Sequence, residues 1–340
     1  MFDNKTLIIA EAGVNHNGDL KVAKKLIKAA ASSGADIVKF QTFKAANLLL
    51  KNTPKANYQK KTTGISGNQY NLIKKLELSF EDHYELIKYC KEQKIEFLSS
   101  PMDVESIKFL KKIKLKRIKI PSGEIDNYIY LKEISKFRGE IILSTGMSKI
   151  KEIESALRVL YAGGVDRRKI TILHCNTEYP TPLNDVNLKA MLEIEKIFRV
   201  KVGYSDHTIG TEVAIIAKLL GARVIEKHIT LDKKLKGPDH KASLEPNDFK
   251  KMVNQIRNVN IILGKKNKDV TRSEKKNIKV ARKSLVAKVK INKGDIFTIN
   301  NLTAKRPGIG LSPMKIIDLL GKKSKNNYFD DDMINKKEIN

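Results

Sequence analysis

Val202–Thr230 reads VGYSDHTIGTEVAIIAKLLGARVIEKHIT. A short β-branched and apolar run, Val202–His207, is followed by a helical stretch, Thr211–Leu220, a glycine at Gly221 and a second strand-like run, Val224–Thr230. Strand, helix and strand in so short a span make one βα repeat, in which the helix carries the chain back so that the next strand lies parallel to the last. Both runs end in a polar residue cluster containing a histidine.

The same alternation extends outward along the chain. Strand patterns occur at Leu7–Gly13, Asp36–Thr42, Glu96–Ser100, Arg117–Ser122, Ile141–Thr145 and Ile170–Asn176, before the two already given. Helical patterns follow each strand: Leu20–Ser33, Phe80–Gln93, Val104–Ile113, Tyr128–Phe137, Ile150–Tyr161, Asn187–Phe198, Thr211–Leu220 and Pro246–Leu263. Asp19, Ser79 and Asp103 can cap helices, and Gly34 and Gly221 can end them in left-handed geometry. Eight βα units in about 260 residues predict an α/β fold of the TIM (β/α)8 barrel type; a doubly wound sheet would show a glycine-rich first turn, which is absent.

Residues 1–263 are therefore read as the barrel. The polar stretch GKKNKDVTRSEKKN opens a linker over 264–280, and 281–340, with RKSLVAKVKI, a turn at NKGD and a short helix Pro313–Leu320, reads as a small β-rich domain. The insertion Leu48–Gln69 is too long for an ordinary βα loop and should lie over the barrel mouth or against a partner.

Composition narrows the class. Hydrophobic residues make up 41% of the 340, and no apolar run reaches the roughly 18 residues that span a bilayer, so no membrane role is expected. The N-terminus, MFDNKTLIIAEAG, has no h-region or cleavage site, and the two cysteines, Cys90 and Cys175, offer no disulfide framework; both features point to the cytoplasm. The net charge of +28 comes from 66 Lys and Arg, of which only 11 are Arg, and they are dispersed without an Arg-rich arm or aromatic interleaving. That is a lysine-biased solvated surface rather than a nucleic-acid interface, and it favours anionic substrates.

In a barrel of this type the site lies where the strands end. Nearly every strand here ends in chemistry: Glu11, then Lys39 and Gln41, Ser100, Lys119 with Ser122 and Glu124, Ser144, Tyr179 beyond His174, Ser205 with His207, and Glu226 with His228. His207 and His228 close consecutive strands and can stand side by side as imidazole ligands of one divalent ion, although a strand-end histidine also serves as a hydrogen-bonded core residue. Lys39 and Lys119, among several serine hydroxyls, suit a phosphate or carboxylate, while either lysine alone could snorkel to the surface. Glu11, Glu124, Glu226 and Asp239 can supply acid–base or hydroxyl-binding groups around a polyol.

The strings AEAGVNHNGD, VKFQTFKA, KIPSGE, LSTGM, LHCNTEYPTP, GYSDHTIG, EKHITLD and GPDHKASLEP, then ARKSLVA and KRPGIGLSP, together resemble the sialic acid synthase family, the phosphoenolpyruvate-dependent nonulosonate synthases. They span almost the whole chain, and 281–340 resembles that family's antifreeze-like (SAF) domain. The resemblance implies condensation of phosphoenolpyruvate with an open-chain N-acetylated hexosamine, typically N-acetylmannosamine, to give an N-acetylneuraminate-type acid and phosphate. N,N'-diacetyllegionaminate synthesis is the alternative on the same fold, and a barrel that only binds sugar or anion is a third reading.

It further implies a divalent metal, Mn2+ or Mg2+, held by His207 and His228. Lys39, Ser100, Lys119, Ser122, Ser144 and Ser205 would hold phosphoenolpyruvate, and Glu11, Gln41, Tyr179, Glu226 and Asp239 the sugar. Glu124 would position or deprotonate the attacking water. In a homodimer the SAF domain would cover the partner's barrel and bring Arg306 to the acetamido group. Ser100, Phe40 and Thr177 stand where many or some members carry Thr, His and Asn, the last two bearing on which hexose is accepted.

Overall fold

Eight strands pair in parallel in the order β3-β2-β1-β8-β7-β6-β5-β4. They are β1 (Leu7–Gly13), β2 (Ile37–Thr42), β3 (Glu96–Pro101), β4 (Arg117–Ile120), β5 (Glu140–Ser144), β6 (Ile170–His174), β7 (Lys201–Asp206) and β8 (Val224–His228). The end strands β3 and β4 pack against each other without a hydrogen-bonded ladder, so the sheet curls into a nearly closed TIM barrel, as expected. The computed structural model describes residues 5–55 and 67–339, and the chain divides into two units, Met1–Leu263 and Gly264–Asn340.

Local chemistry starts and stops the surrounding helices as the sequence predicts. The Asp19 carboxylate accepts from the amides of Lys21 and Val22, Ser79 and Asp82 form a reciprocal capping box, and Asp103 accepts from Ser106. Helix Leu20–Ser32 buries Ala23, Leu26, Ile27 and Ala30, one stripe at helical spacing, against the outer face of the sheet. That face offers Ile8, Val38, Phe40, Ile118, Ile141, Ile172 and Ile225 to the same cluster.

Alternation along the strands sends the intervening residues inward. Ile9, Ile37, Leu98, Ile142, Leu173 and Val224 form a separate apolar layer inside the barrel. Gly203 completes it by having no side chain: a Cβ there would lie 2.2 Å from the Val224 carbonyl oxygen and 2.7 Å from Leu173.

The strand boundaries differ from expectation where the chemistry changes. β4 stops at Ile120 because Pro121 ends the ladder, and Ser122–Glu124 forms a 3-10 turn. The expected linker contains a helix, Arg272–Ala281, begun by a Thr271–Glu274 capping box, so local capping organises a stretch whose composition alone suggested an irregular chain. In the C-terminal unit β9 (Ser284–Ala287) pairs antiparallel with β10 (Leu302–Lys305), and Pro313–Asp318 is a 3-10 helix rather than an α-helix. Leu285, Ile291, Phe297, Leu302 and Leu319 give this unit a core of its own. Of the Leu48–Gln69 insertion, residues 56–66 lie outside the described residues; the remainder leads into helix Gln69–Lys74.

Candidate active site

One step along each strand from the apolar layer, the inward positions become polar. Glu11 follows Ile9, Lys39 and Gln41 follow Ile37, Ser100 follows Leu98, Ser144 follows Ile142, and Glu226 and His228 follow Val224. With Lys119, Ser122, Tyr179, Ser205 and His207 these residues line a cavity of about 510 Å3 at the C-terminal end of the strands. A hollow of about 520 Å3 in the C-terminal unit, lined by Asn326, Asn327, Tyr328 and Asn335 among others, has no comparable convergence of lysine, acid and imidazole.

A chain of charges runs across the cavity floor. Lys39 Nζ stands 2.9 Å from Glu11 Oε2 and 3.4 Å from Glu226 Oε2, and donates to Ser100 Oγ at 3.2 Å. Lys119 Nζ stands 3.2 Å from Glu226 Oε1, which also accepts from Ser205 Oγ at 2.8 Å. All four charged groups are buried. Burial opposes ionisation of Glu226, but Lys119 and Lys39 overcome it and hold its carboxyl well below the usual range. Glu11 goes the other way: burial, aided by the charge of Glu226 and resisted by Lys39, pushes it up to about 7. Burial also lowers the Lys119 ammonium against the pull of Glu226. Thus two cations share one firmly ionised carboxylate, while Glu11 can hold or release a proton near neutrality.

Around this floor sit hydrogen-bonding groups with capacity to spare. Ser144 Oγ is buried with no partner among the described residues, and Ser122 Oγ accepts the Gly146 amide at 2.9 Å. A Cβ on Gly146 would lie 2.6 Å from Thr177 and 3.0 Å from Ser122 Oγ, so the glycine keeps this wall open. An anion with several oxygens fits such a set of donors.

The two histidines meet as expected, with ring centroids 5.5 Å apart. The Tyr179 ring stacks on His207 at 4.2 Å, and its hydroxyl lies 3.2 Å from Nε2. His207 Nδ1 donates to the Asn176 carbonyl, which fixes the tautomer and leaves the lone pair on Nε2. Burial lowers His207 to about 4 and His228 well below its ordinary value, so both rings are neutral at pH 7. His228 Nδ1 has no hydrogen-bond partner among the described residues. Two neutral imidazoles with available lone pairs suit a divalent ion whose remaining positions are filled by water or substrate oxygen, although no group of three or more His, Cys, Asp or Glu among the described residues is arranged to hold one.

Three expected residues do not line this cavity. Asp239 is buried behind it, with Oδ2 4.0 Å from His228 Nδ1, and burial pushes it up to about 6. Gly13, with φ +52°, leaves the space there: its Cβ would fall 3.2 Å from Glu11 and 3.7 Å from Asp239. Glu124 is half-buried on its 3-10 turn, its carboxylate accepting from Asn127 Nδ2 at 2.7 Å, and burial raises it. Arg306 belongs to the C-terminal unit, where its Nε donates to the Ala281 carbonyl at 3.0 Å. Conversely, Gln69, Met102, Met147 and Cys175 line the cavity without having been given a role, and Thr177, noted from the sequence as bearing on the acceptor, lines it too. Cys175 was detectable, lying two residues beyond Leu173 on the inward face of its strand; Gln69 was not, because it arrives from the insertion.

Comparison with known proteins agrees with this geometry. The NeuB family model matches residues 26–268, and the SAF domain model matches 282–339. The chain is 54% identical over 330 residues to N,N'-diacetyllegionaminic acid synthase of Campylobacter jejuni, covering 97% of this chain and 99% of the relative. It is 37% identical to N-acetylneuraminate-9-phosphate synthase of Homo sapiens, covering 96% and 90%. A solved N-acetylneuraminic acid synthetase from Leptospira borgpetersenii superposes with a TM-score of 0.68 at 32% identity, covering 81% of this chain and 91% of that one. With the barrel, the lysine–carboxylate floor and the paired histidines in one frame, this chain belongs to the NeuB family of nonulosonic acid synthases and carries a SAF domain at its C-terminal end.

Proposed function

We propose that this chain condenses phosphoenolpyruvate with an open-chain N-acetylated hexose of the mannosamine type, adding water and releasing phosphate to give a nine-carbon 3-deoxy-2-keto acid. The observation that carries this reading is the buried Lys39–Glu226–Lys119 bridge beside a Ser144 hydroxyl with no partner among the described residues: two ammoniums and a spare donor at the floor of a sugar-sized cavity. Phosphoenolpyruvate brings the phosphate and carboxylate that such a cradle accepts.

Lys39, Lys119, Ser100, Ser122, Ser144 and Ser205 hold the phosphate and carboxylate and keep the nucleophilic C3 aimed at the aldehyde. Glu11, Gln41, Tyr179 and Glu226 take the sugar hydroxyls, and Asp239, buried behind His228, would reach the sugar only if the wall there opened as it binds. A divalent cation, Mn2+ or Mg2+, held by His207 and His228 would polarise the aldehyde oxygen when bound. C3 forms the new carbon–carbon bond, water adds at C2, and the C2–O bond to phosphate then breaks from the tetrahedral adduct, leaving the ketone. Glu124, which follows the cavity-lining Ser122 and Gly123, would position that water or take its proton after turning inward from Asn127; burial raises its carboxyl, which suits a proton acceptor. Lys39 and Lys119 balance the phosphate's charge throughout.

The acceptor is N-acetylmannosamine or a close N-acetylated analogue. Identity of 54% to a diacetyllegionaminic acid synthase, against 37% to an N-acetylneuraminate-9-phosphate synthase, favours the diacetamido sugar as a second reading. Phosphate release from phosphoenolpyruvate with Mn2+, run with each sugar and with products confirmed by mass, decides between them. Release with neither sugar, or no phosphoenolpyruvate binding, would overturn the proposal.

The working assembly proposed is a cytoplasmic homodimer in which the SAF domain of one subunit covers the barrel of the other and supplies Arg306 to the acetamido group. Both cysteines are free, which suits a reducing compartment, and no helix among the described residues is long and apolar enough to cross a membrane. Mixing an Arg306→Ala subunit with a Lys119→Met subunit tests the arrangement: recovered activity in the mixed dimer supports it, and no recovery overturns it.

A further inference from the structure

Between the cavity-facing pairs on β7 and β8 lies an ion pair that never touches the cavity. Asp206 is the Cα partner of Lys227 in the β7–β8 ladder, next to the Ser205–Glu226 partners. Ser205, His207, Glu226 and His228 line the cavity, so strand alternation turns Asp206 and Lys227 to the opposite face of the sheet. Lys227 Nζ stands 2.9 Å from Asp206 Oδ2, and both side chains are wholly inaccessible to solvent. The same ammonium donates to the Thr208 carbonyl at 2.6 Å. Asp206 Oδ1 accepts from the Thr208 amide at 2.9 Å and from its hydroxyl at 2.7 Å.

The connections enclose one residue. His207 sits between Asp206 and Thr208, which are tied to each other and to Lys227, and Lys227 immediately precedes His228. Stability does not explain why full charges are used here, because stripping water from two ions costs about as much as their attraction returns, and a well-packed apolar pair commonly does as well. What an apolar pair cannot supply is direction: three hydrogen bonds and one ion pair fix the ends of two neighbouring strands in register at the point where each presents its imidazole.

We propose that Asp206 and Lys227 are positioning residues that lock the backbones carrying His207 and His228, and so set the mutual orientation of the two rings. The consequence for metal binding rests on the proposed function, but the orientation itself does not. Loss of such outer partners characteristically weakens a metal site while leaving the fold intact.

The test is the double variant Asp206→Leu/Lys227→Met, in the full-length protein, read in two ways. The first readout is 15N NMR of the imidazoles in metal-free protein, made tractable by a total of six histidines. In the wild type the His207 ring is locked as the Nδ1–H tautomer by Asn176. In the double variant, at an undiminished melting temperature, the His207 signals shift toward tautomer averaging and the His228 signals move from their wild-type positions. The second readout is Mn2+ titration, in which the dissociation constant rises about tenfold or more. Unchanged ring signals and unchanged Mn2+ affinity would overturn the proposal. Should the double variant fail to fold, Thr208→Val, which removes only the hydroxyl bond to Asp206, takes its place: a shift in the His207 signals and about a threefold loss of Mn2+ affinity support positioning, and no change in either overturns it. A wild type that neither binds Mn2+ nor turns over phosphoenolpyruvate, while its rings still respond to the double variant, would overturn the proposed function and leave the positioning role standing.

Discussion

The interior of the barrel is built twice, and the two layers have opposite characters. The lower layer, Ile9, Ile37, Leu98, Ile142, Leu173 and Val224, contains no charge. The upper layer, two residues further along the same strands, contains Glu11, Lys39, Ser100, Ser144, Cys175 and Glu226, buried to nearly the same degree. Equal burial with unlike chemistry separates the duties. The lower layer gains free energy from removing apolar surface from water, whereas the upper layer, with Lys119 beside it, bears the desolvation of buried lysines and carboxyls and recovers it mainly through their mutual contacts. A fold with only the first need would fill both layers with aliphatics, so the upper layer is where this barrel gives up stability for chemistry.

The largest expected break in this contrast is Lys119→Met. It should lower kcat/KM for phosphate release by about a thousandfold or more, since on the proposed reading a cation that holds the departing phosphate is lost. The melting temperature should move by only a few degrees, because Glu226 keeps Lys39 and Ser205 as partners. A similar loss of stability and of activity would erase the distinction between the layers.

Leu98→Ala probes the lower layer from the other side. Leu98 is fully buried in that layer, and its truncation should cost about 2–5 kcal/mol in denaturant unfolding. The kcat/KM of the remaining folded enzyme should stay within about threefold, because no catalytic contact is removed. Loss of activity beyond the unfolded fraction would show that the two layers are mechanically coupled.

The smallest effect sharpens the comparison at the opposite end of the barrel, where charge serves stability. Asp36 accepts from the Ile8 amide at 2.8 Å, stands 2.9 Å from Lys5 Nζ, and pairs with Arg257. Burial works against its ionisation, but the Ile8 amide, Lys5 and Arg257 together hold the carboxyl below its usual value. A depressed carboxylate contributes stability that is fully present above the unfolded value near 4 and is lost as pH falls through the folded value. Asp36→Asn should therefore cost about 1–2 kcal/mol at pH 7 and flatten the acid limb of the stability profile. A variant whose acid limb matches the wild type would remove Asp36 from this role.

The fold was largely legible because each element carries its own local evidence. Periodicity marked the eight strands, and Asp19, Ser79 and Asp103 announced helix starts that the structure places within a residue or two. The C-terminal unit was harder to read: the short helix at Pro313 was found without its 3-10 form, and the helix Arg272–Ala281 depends on capping that hydrophobic pattern does not report. For the site, period-two alternation was enough to gather Lys39, Lys119, Glu226, His207 and His228. It could not foresee that Asp206 and Lys227, adjacent in sequence to those residues, would form a sealed pair on the outer face.

What the sequence determined by itself was the βα repeat, the polarity of the strand ends and the family motifs, because these depend on residue type and short-range spacing. Only the tertiary structure decided which carboxyl holds its proton more tightly. Glu11 and Glu226 are the same residue type at the ends of adjacent strands, yet one lies between two ammoniums and the other beside one. Their proton affinities diverge because an electrostatic potential sums over neighbours in space, and barrel closure is what brings Lys119 of β4 across to Glu226 of β8.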